Sequence, residues 1–177
     1  MNSSIKSTGN IPLISIRDLL HADRYWVNQM MIQEWGSDAV IVHGTIYRPA
    51  ELEGLIAEHD GVPVGLLTYH LQDNACEIVT LNSWQENSGI GTALIAAVKR
   101  MACKQVCQRL WLVTTNDNLH ALRFYQKRGF SICAVRLNAI EASRKIKPEI
   151  PILGQNDIPI RDEIELELIV DGREGWE

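Results

Sequence analysis

Two glycines, Gly89 and Gly91, stand where an apolar strand ending at Leu81 gives way to an amphipathic helix. A helix N-terminus leaves its first N–H groups without intrahelical partners and carries a partial positive charge. Glycine there lets the backbone come close to a bound group. The junction reads as a berth for an anion, with main-chain donors from Ser88, Gly89, Ile90, Gly91 and Thr92 and a hydroxyl from Thr92. The same residues also suit a tight turn that needs glycine for its geometry alone. A dinucleotide fingerprint would place a third glycine at position 94, which is Leu94. A P-loop would need Gly-Lys-Ser/Thr, which the sequence lacks.

Periodicity extends the reading in both directions. Residues 11 to 16 suit a first strand, and 17 to 34 a helix ended by Gly36. Residues 40 to 42 fit either a strand or an irregular segment that includes His43 and Gly44. Leu55 to His59 and Val62 to Leu71 flank Asp60-Gly61, the signal of a tight hairpin. A further strand, 76 to 81, follows Asp73-Asn74. In the helix from 89 to 106, Ile90, Ala93, Leu94, Ala97, Val98 and Met101 fall on one face. Leu110 to Val113 is continuously apolar, as expected of a central strand. A helix capped by Asn116, Asp117 or Asn118 runs to Gly129, and a strand covers 130 to 137. A short helix near 139 to 145 opens a long Pro-containing connection. In the last strand Ile164, Leu166 and Leu168 alternate with Glu163, Glu165 and Glu167, which predicts an acidic outer face. The order β-α-β-β-β-α-β-α-β-β gives a mixed sheet with helices on its faces, an α/β (α+β) class.

A chain of 177 residues is read as a flexible tail, 1 to 10, followed by a single domain, 11 to 177. Hydrophobic residues at 46% and charged residues at 22% are ordinary for a soluble protein. The net charge of −5 argues against nucleic acid as a partner, since phosphate contacts need clustered Lys and Arg. Cys103 and Cys107 share a helix face, yet no neighbouring His or Cys completes a zinc set. No metal site is therefore expected, and Cys76, Cys103, Cys107 and Cys133 read as free thiols of a reducing compartment. The first ten residues lack an apolar signal core, and no apolar run approaches the ~20 residues that cross a bilayer. The expectation is a cytoplasmic protein with no membrane partner.

About one helix beyond the glycines stands Asn118-x-x-Ala121-x-x-Phe124-Tyr125-x-x-x-Gly129-Phe130. Together the two blocks, within 81 to 130, resemble the GNAT acetyltransferase superfamily, which moves acetyl from acetyl-coenzyme A to an amine. The resemblance covers about 11 to 137 as a fold. It implies a mostly antiparallel sheet of six or seven strands, helices on both sides, and a cofactor core at 75 to 130. Two positions depart from the family pattern. Glu86 stands where Gln or Arg is usual, and Asn87 where Gly is frequent.

The resemblance implies that Asn118 bonds the pantetheine arm or caps the helix beside it. It also implies that Tyr125 lies near the thioester sulfur and that the Leu81 N–H faces the thioester oxygen. A departing thiolate of pKa roughly 8.5 can take a hydrogen bond or a proton from a phenol of pKa about 10. Tyr125 also fits a core tyrosine. A lysine-like amine, with pKa about 10.4, must first lose a proton. Glu77, on the strand leading to the cofactor, is the candidate acceptor of that proton, and residues 77, 79 and 81 are expected on one strand face. A solvated strand glutamate is the bland reading, and His43, His59 and His70 are further candidates. Cys76 as an acyl carrier is a minor alternative. The acceptor, a small-molecule or peptide amine, is expected among Trp26, the 36 to 50 segment and a loop at 138 to 163. Arg136, Arg144, Lys145 and Lys147 are either solvated or touch substrate or cofactor. Two rival readings are a non-catalytic acyl-coenzyme A-binding or regulatory module, and a homodimerisation domain that uses 164 to 170 as an edge strand.

Overall fold

The computed structural model describes residues 14–85 and 88–170. The expected tail, the start of the first strand and the Glu86–Asn87 pair lie outside them. Seven strands form one sheet in the order β1-β4-β5-β6-β7-β9-β8. They are β1 (Ile14–Asp18), β4 (Glu53–His59), β5 (Val62–Gln72), β6 (Ala75–Ser83), β7 (Arg109–Thr115), β8 (Ser131–Arg136) and β9 (Glu163–Ile169). A separate hairpin, β2 (Val40–Val42) and β3 (Thr45–Tyr47), lies over the sheet. Every neighbouring pair in the seven-stranded sheet is antiparallel except β6 and β7. The described residues also form four α-helices: α1 (Arg24–Trp35), α2 (Ile90–Lys104), α3 (Leu119–Gln126) and α4 (Ala139–Ile146). Among the described residues no helix is long and apolar enough to cross a membrane.

The turns follow from local chemistry. Asp60 (φ 52°) and Gly61 (φ 76°) join β4 to β5, and Asp73 and Asn74 (φ 51° and 58°) join β5 to β6. These residue types tolerate the left-handed region that two-residue hairpins need. His43 (φ 49°) and Gly44 (φ 78°) do the same for β2–β3, so the 40 to 47 segment is a hairpin.

Two cores flank the sheet. Ile90, Leu94, Ile95, Val98 and Ala102 of α2 pack with Leu67, Tyr69, Cys76 and Ile78. Val27, Met30 and Met31 of α1 pack with Ile56 and Leu66 on the opposite face. Helices thus cover both faces, as the pattern predicts. The buried stripe of α2 is rotated from the predicted one. Gly91 and Ile95 are buried, while Ala93 and Ala97 are only half-buried.

Three expectations are corrected. The α1 helix starts at Arg24, because Arg17 and Asp18 pair with Ile56 and Leu55 and so extend β1. Asp23 then accepts the Leu20 N–H at 2.8 Å and holds Arg17 at 2.7 Å. The acidic side of β9 is covered. Glu163 and Glu165 are 3% and 8% exposed, and His43 of the hairpin lies 3.5 and 3.9 Å from their carboxylates. Alternation separates two faces but does not say which one is covered. Nor is β9 an edge: it pairs with β7 on one side and β8 on the other, so the 164 to 170 segment is not available for strand addition.

Candidate functional site

The helix α2 begins at Gly89, which adopts φ 79° and ψ 0°. Its carbonyl accepts the Ala93 N–H at 2.9 Å, which leaves the Ile90, Gly91 and Thr92 amides ahead of the helical ladder. No acidic residue stands in this first turn. The amides border a cleft of about 340 Å³ lined by Ser83, Gln85, Gly89 to Thr92, His120, Phe124 and Arg128. The two glycines do different work. A Cβ built on Gly89 meets nothing within 4 Å, so its place is open and its positive φ explains the residue. A Cβ on Gly91 would stand 3.0 Å from the Phe124 ring, so this glycine makes room for an aromatic wall. Ile90 is fully buried and borders the cleft from below its surface. Ser88 turns its hydroxyl to the Gln85 carbonyl at 2.6 Å.

Arg128 is the cation that the sequence reading missed. Its guanidinium lies 3.5 Å above the Phe124 ring and donates to the Phe124 carbonyl at 2.7 Å. It also donates to the Thr92 hydroxyl at 3.2 and 2.5 Å. The Thr92 hydroxyl thus accepts from arginine and keeps its own proton to donate. The clue was present: Arg128 directly precedes Gly129-Phe130 in the second block.

Beyond the cleft the sheet opens. β6 and β7 pair from Ala75↔Arg109 to Ile78↔Leu112 and no further, although both strands continue. The Trp84 N–H bonds the Val64 carbonyl at 3.1 Å. Antiparallel alternation then turns the Leu81 N–H away from β5 and toward the opened gap. At the fork the β5–β6 register passes from Thr68↔Thr80 to Tyr69↔Ile78, so Val79 is an extra, bulged residue. The bulge breaks the expected face parity. Leu81 packs with Cys76 and Ile78 on the α2 side, whereas Glu77 faces the β2–β3 hairpin.

Glu77 is 4% exposed. Its Oε2 accepts the Tyr47 hydroxyl at 2.8 Å, and its Oε1 is buried without a hydrogen-bond partner. Burial raises its pKa, opposed by the Tyr47 hydrogen bond and by His70. The same burial, with Glu77 beside it, pushes the Tyr47 phenol up to about 12. Glu77 lines a second cavity, of about 320 Å³, with His70, Gln72, Asp73, Ala75, Arg109 and Trp111. The bland reading of Glu77 as a solvated strand residue is therefore overturned. Of the histidine candidates, His70 lines this cavity and His43 stacks on Trp111 with ring centroids 5.9 Å apart. Burial lowers the His43 pKa despite two nearby carboxylates, so this imidazole is neutral near pH 7. His59 lies instead at the β4–β5 turn, 3.4 Å from Asp60.

Tyr125 is buried in the α2-side core, edge-on to Phe124 (5.1 Å) and Phe130 (5.3 Å). Burial raises its pKa, so the phenol stays protonated at neutral pH. Asn118 caps α3, its Oδ1 accepting the Ala121 N–H at 3.0 Å. Cys76 is fully buried and its thiol is pushed up to about 12, which removes it as an acyl carrier. The loop expected at the acceptor is pinned internally. Asn116 and Asp117 bond the backbone at Pro159, Arg161, Asp162 and Gln155. Arg144 is half-buried and ties Ile150, Pro151 and Ile160 together, so it braces the loop. Lys147 reaches the Ala39 carbonyl at 3.2 Å, and Arg136 lies 3.9 Å from Glu165. Trp26 packs with Trp84 beside the α1 core. Among the described residues no group of His, Cys, Asp and Glu is arranged to hold a metal ion.

A mixed sheet opened between two parallel strands, with a glycine-led helix beside a cleft, is the class of fold that these residues define. Residues 15–130 match the model of the acetyltransferase (GNAT) family. The chain belongs to this family. It is 45% identical to the Bacillus subtilis (strain 168) protein YxbD over 139 residues, 78% of this chain and 87% of YxbD. It is 42% identical to YdhI of the same organism over 149 residues, 84% of this chain and 93% of YdhI. Its fold is similar to that of a GNAT family acetyltransferase from Elizabethkingia anophelis, solved with acetyl-CoA bound. The TM-score is 0.66 at 20% identity, over 88% of this chain and 97% of that one.

Proposed function

We propose that this protein transfers the acetyl group of acetyl-coenzyme A to a primary amine, by direct attack in a ternary complex. The observation that carries the reading is the row of α2 amides at Ile90, Gly91 and Thr92, opening on a cleft that also holds Arg128. Open space over Gly89 leaves room for a diphosphate there, so the residues present fit the coenzyme. Bound acetyl-coenzyme A supplies an acetyl thioester.

The chain's residues then have separable tasks. Main-chain donors from Ser88 to Thr92, with Arg128, hold the diphosphate. The Leu81 N–H, turned into the gap, orients the carbonyl oxygen. Glu77, one residue short of the fork at Ile78, takes the proton that an incoming ammonium must lose. Tyr125, held protonated, donates a hydrogen bond to the thiolate as the C–S bond breaks and the N–C bond forms. Asn118 fixes the start of α3 and thereby the ring of Tyr125 seven residues on. We place this chemistry in the cytoplasm, in keeping with the free thiols Cys76, Cys103, Cys107 and Cys133.

A second reading draws on the burial of Tyr125: a module that binds acyl-coenzyme A without catalysis, in which this tyrosine only packs. Tyr125→Phe separates the two. The ring fits the same site, so coenzyme A affinity should persist, while thiol release in the presence of an amine should fall by roughly 10²-fold. An unchanged rate would remove Tyr125 from the chemistry. No thiol release by the native protein with any amine would favour the binding module.

A further inference from the structure

The cavity on the hairpin side of the sheet has a charge pattern that narrows its ligand. Glu77 forms its buried floor and exposed Asp73, at the β5–β6 turn, stands at its mouth. Arg109 also lines it, but one of its nitrogens is already committed. Its Nη1 donates to Glu167 at 2.9 Å and to Glu165 at 3.2 Å, and its carbon lies 4.9 Å from the Trp111 ring. Arg109 is thus partly neutralised by two carboxylates outside the cavity, and the lining sets Glu77 and Asp73 against that one arginine. The floor is also incomplete. Tyr47 satisfies Glu77 Oε2, yet Oε1 is buried and has no partner. A buried carboxylate oxygen without a donor is costly, and a ligand N–H would satisfy it.

We propose that this cavity is the acceptor pocket and that it selects a short aliphatic diamine. One primary amine reaches Glu77 Oε1 at the floor, and the second cation stays near Asp73 at the mouth. Trp111 and Ala75 line the space between with apolar surface. A carboxylate or phosphate at the far end of the ligand would face Asp73 and find Arg109 engaged, so amino acids and phosphorylated amines are disfavoured. The geometry also suits the family reaction, on which the proposal rests. Glu77 and Trp111 are register partners one step before the strands separate. An amine at Glu77 therefore sits at the fork, and its ammonium proton can pass to Oε1 before the nitrogen attacks the acyl carbon.

The test is calorimetric titration of the coenzyme A-loaded protein with 1,4-diaminobutane and with 4-aminobutyrate, a pair alike in length and opposite in far-end charge. The diamine should bind at least about tenfold more tightly. Glu77→Gln and Asp73→Asn should each weaken it about tenfold or more while leaving coenzyme A affinity unchanged. Asn is well suited to the left-handed turn position of Asp73, so that variant keeps the fold even if the Glu77 variant does not. Equal affinity for the two ligands, or diamine binding that ignores both variants, overturns the proposal. Thiol release measured on the same samples keeps the two claims apart. Acetylation of 4-aminobutyrate but not of the diamine would refute the pocket assignment and leave the transferase standing. Diamine binding that both variants weaken, with no transfer to any amine, would do the reverse.

Discussion

Glu77 and Tyr47 meet at 2.8 Å although thirty residues separate them, and their contact sets the pH behaviour expected of the site. Burial raises the Glu77 pKa, and Glu165 adds to this, whereas Tyr47, His70 and Arg109 favour the ionised form. A proton acceptor must be ionised, so the rate should rise with pH through the raised value. Tyr47→Phe removes a donor to the carboxylate. The acid limb of the kcat/KM profile should then move to higher pH, by up to about one unit for a hydrogen bond of about 1.4 kcal/mol. A limb that stays in place would show that Tyr47 is merely packed. The linkage to stability has the opposite sense. The folded protein holds this proton more tightly than the unfolded chain, so the stability it lends is fully present below the ordinary carboxylate range. It is lost as pH rises from there through the raised value. Glu77→Gln should flatten that slope in urea melts recorded across the window. Glu77 was legible as a candidate from its strand. The set of partners it meets was not, because Tyr47, His70, Arg109 and Trp111 come from three other strands, β3, β5 and β7. The bulge at Val79, which decides the face Glu77 points to, leaves no mark in the residue alternation.

At the scale of elements, the strand-to-helix junction was the most readable part of the chain, because free amides and a positive φ are properties of a few adjacent residues. The hairpin turns at Asp60-Gly61 and Asp73-Asn74 were legible for the same reason. The start of α1 was not, since whether Arg17 and Asp18 extend a strand depends on β4, some forty residues away. The two glycines of the junction predict different failures. Gly89→Ala places Cβ in open space but forces a left-handed φ, which should cost about 1–2 kcal/mol of stability. Gly91→Ala puts a methyl 3.0 Å from Phe124, whose ring is stacked beneath Arg128. It should weaken coenzyme A binding several-fold by pushing this wall into the cleft. Thermal melts and isothermal titration of the two variants distinguish strain from narrowing. Identical effects in both assays would contradict the division of labour.

At the scale of the whole molecule, the sheet has a single parallel contact among the described residues, and the fold opens there. The α2 cleft and the Glu77 cavity lie toward opposite sides of the fork at Ile78 and Leu112, which gives the proposed donor and acceptor separate approaches. The proposed direct transfer fits that arrangement. Initial rates at varied donor and acceptor should give intersecting double-reciprocal lines. Parallel lines, the mark of an acyl-enzyme, would contradict it, and buried Cys76 offers no carrier. Saturation should also stabilise the fold: at a hundred times Kd, coenzyme A adds about 2.7 kcal/mol, a rise of roughly 5–10 °C in Tm. The central claim remains that main-chain amides at the head of α2 grip the diphosphate. Its most direct measurement is a coenzyme A titration of the ¹⁵N-labelled protein followed through the amides of Ile90, Gly91 and Thr92. These three should shift most and saturate with the binding isotherm. Saturable binding that leaves all three unmoved would contradict the account.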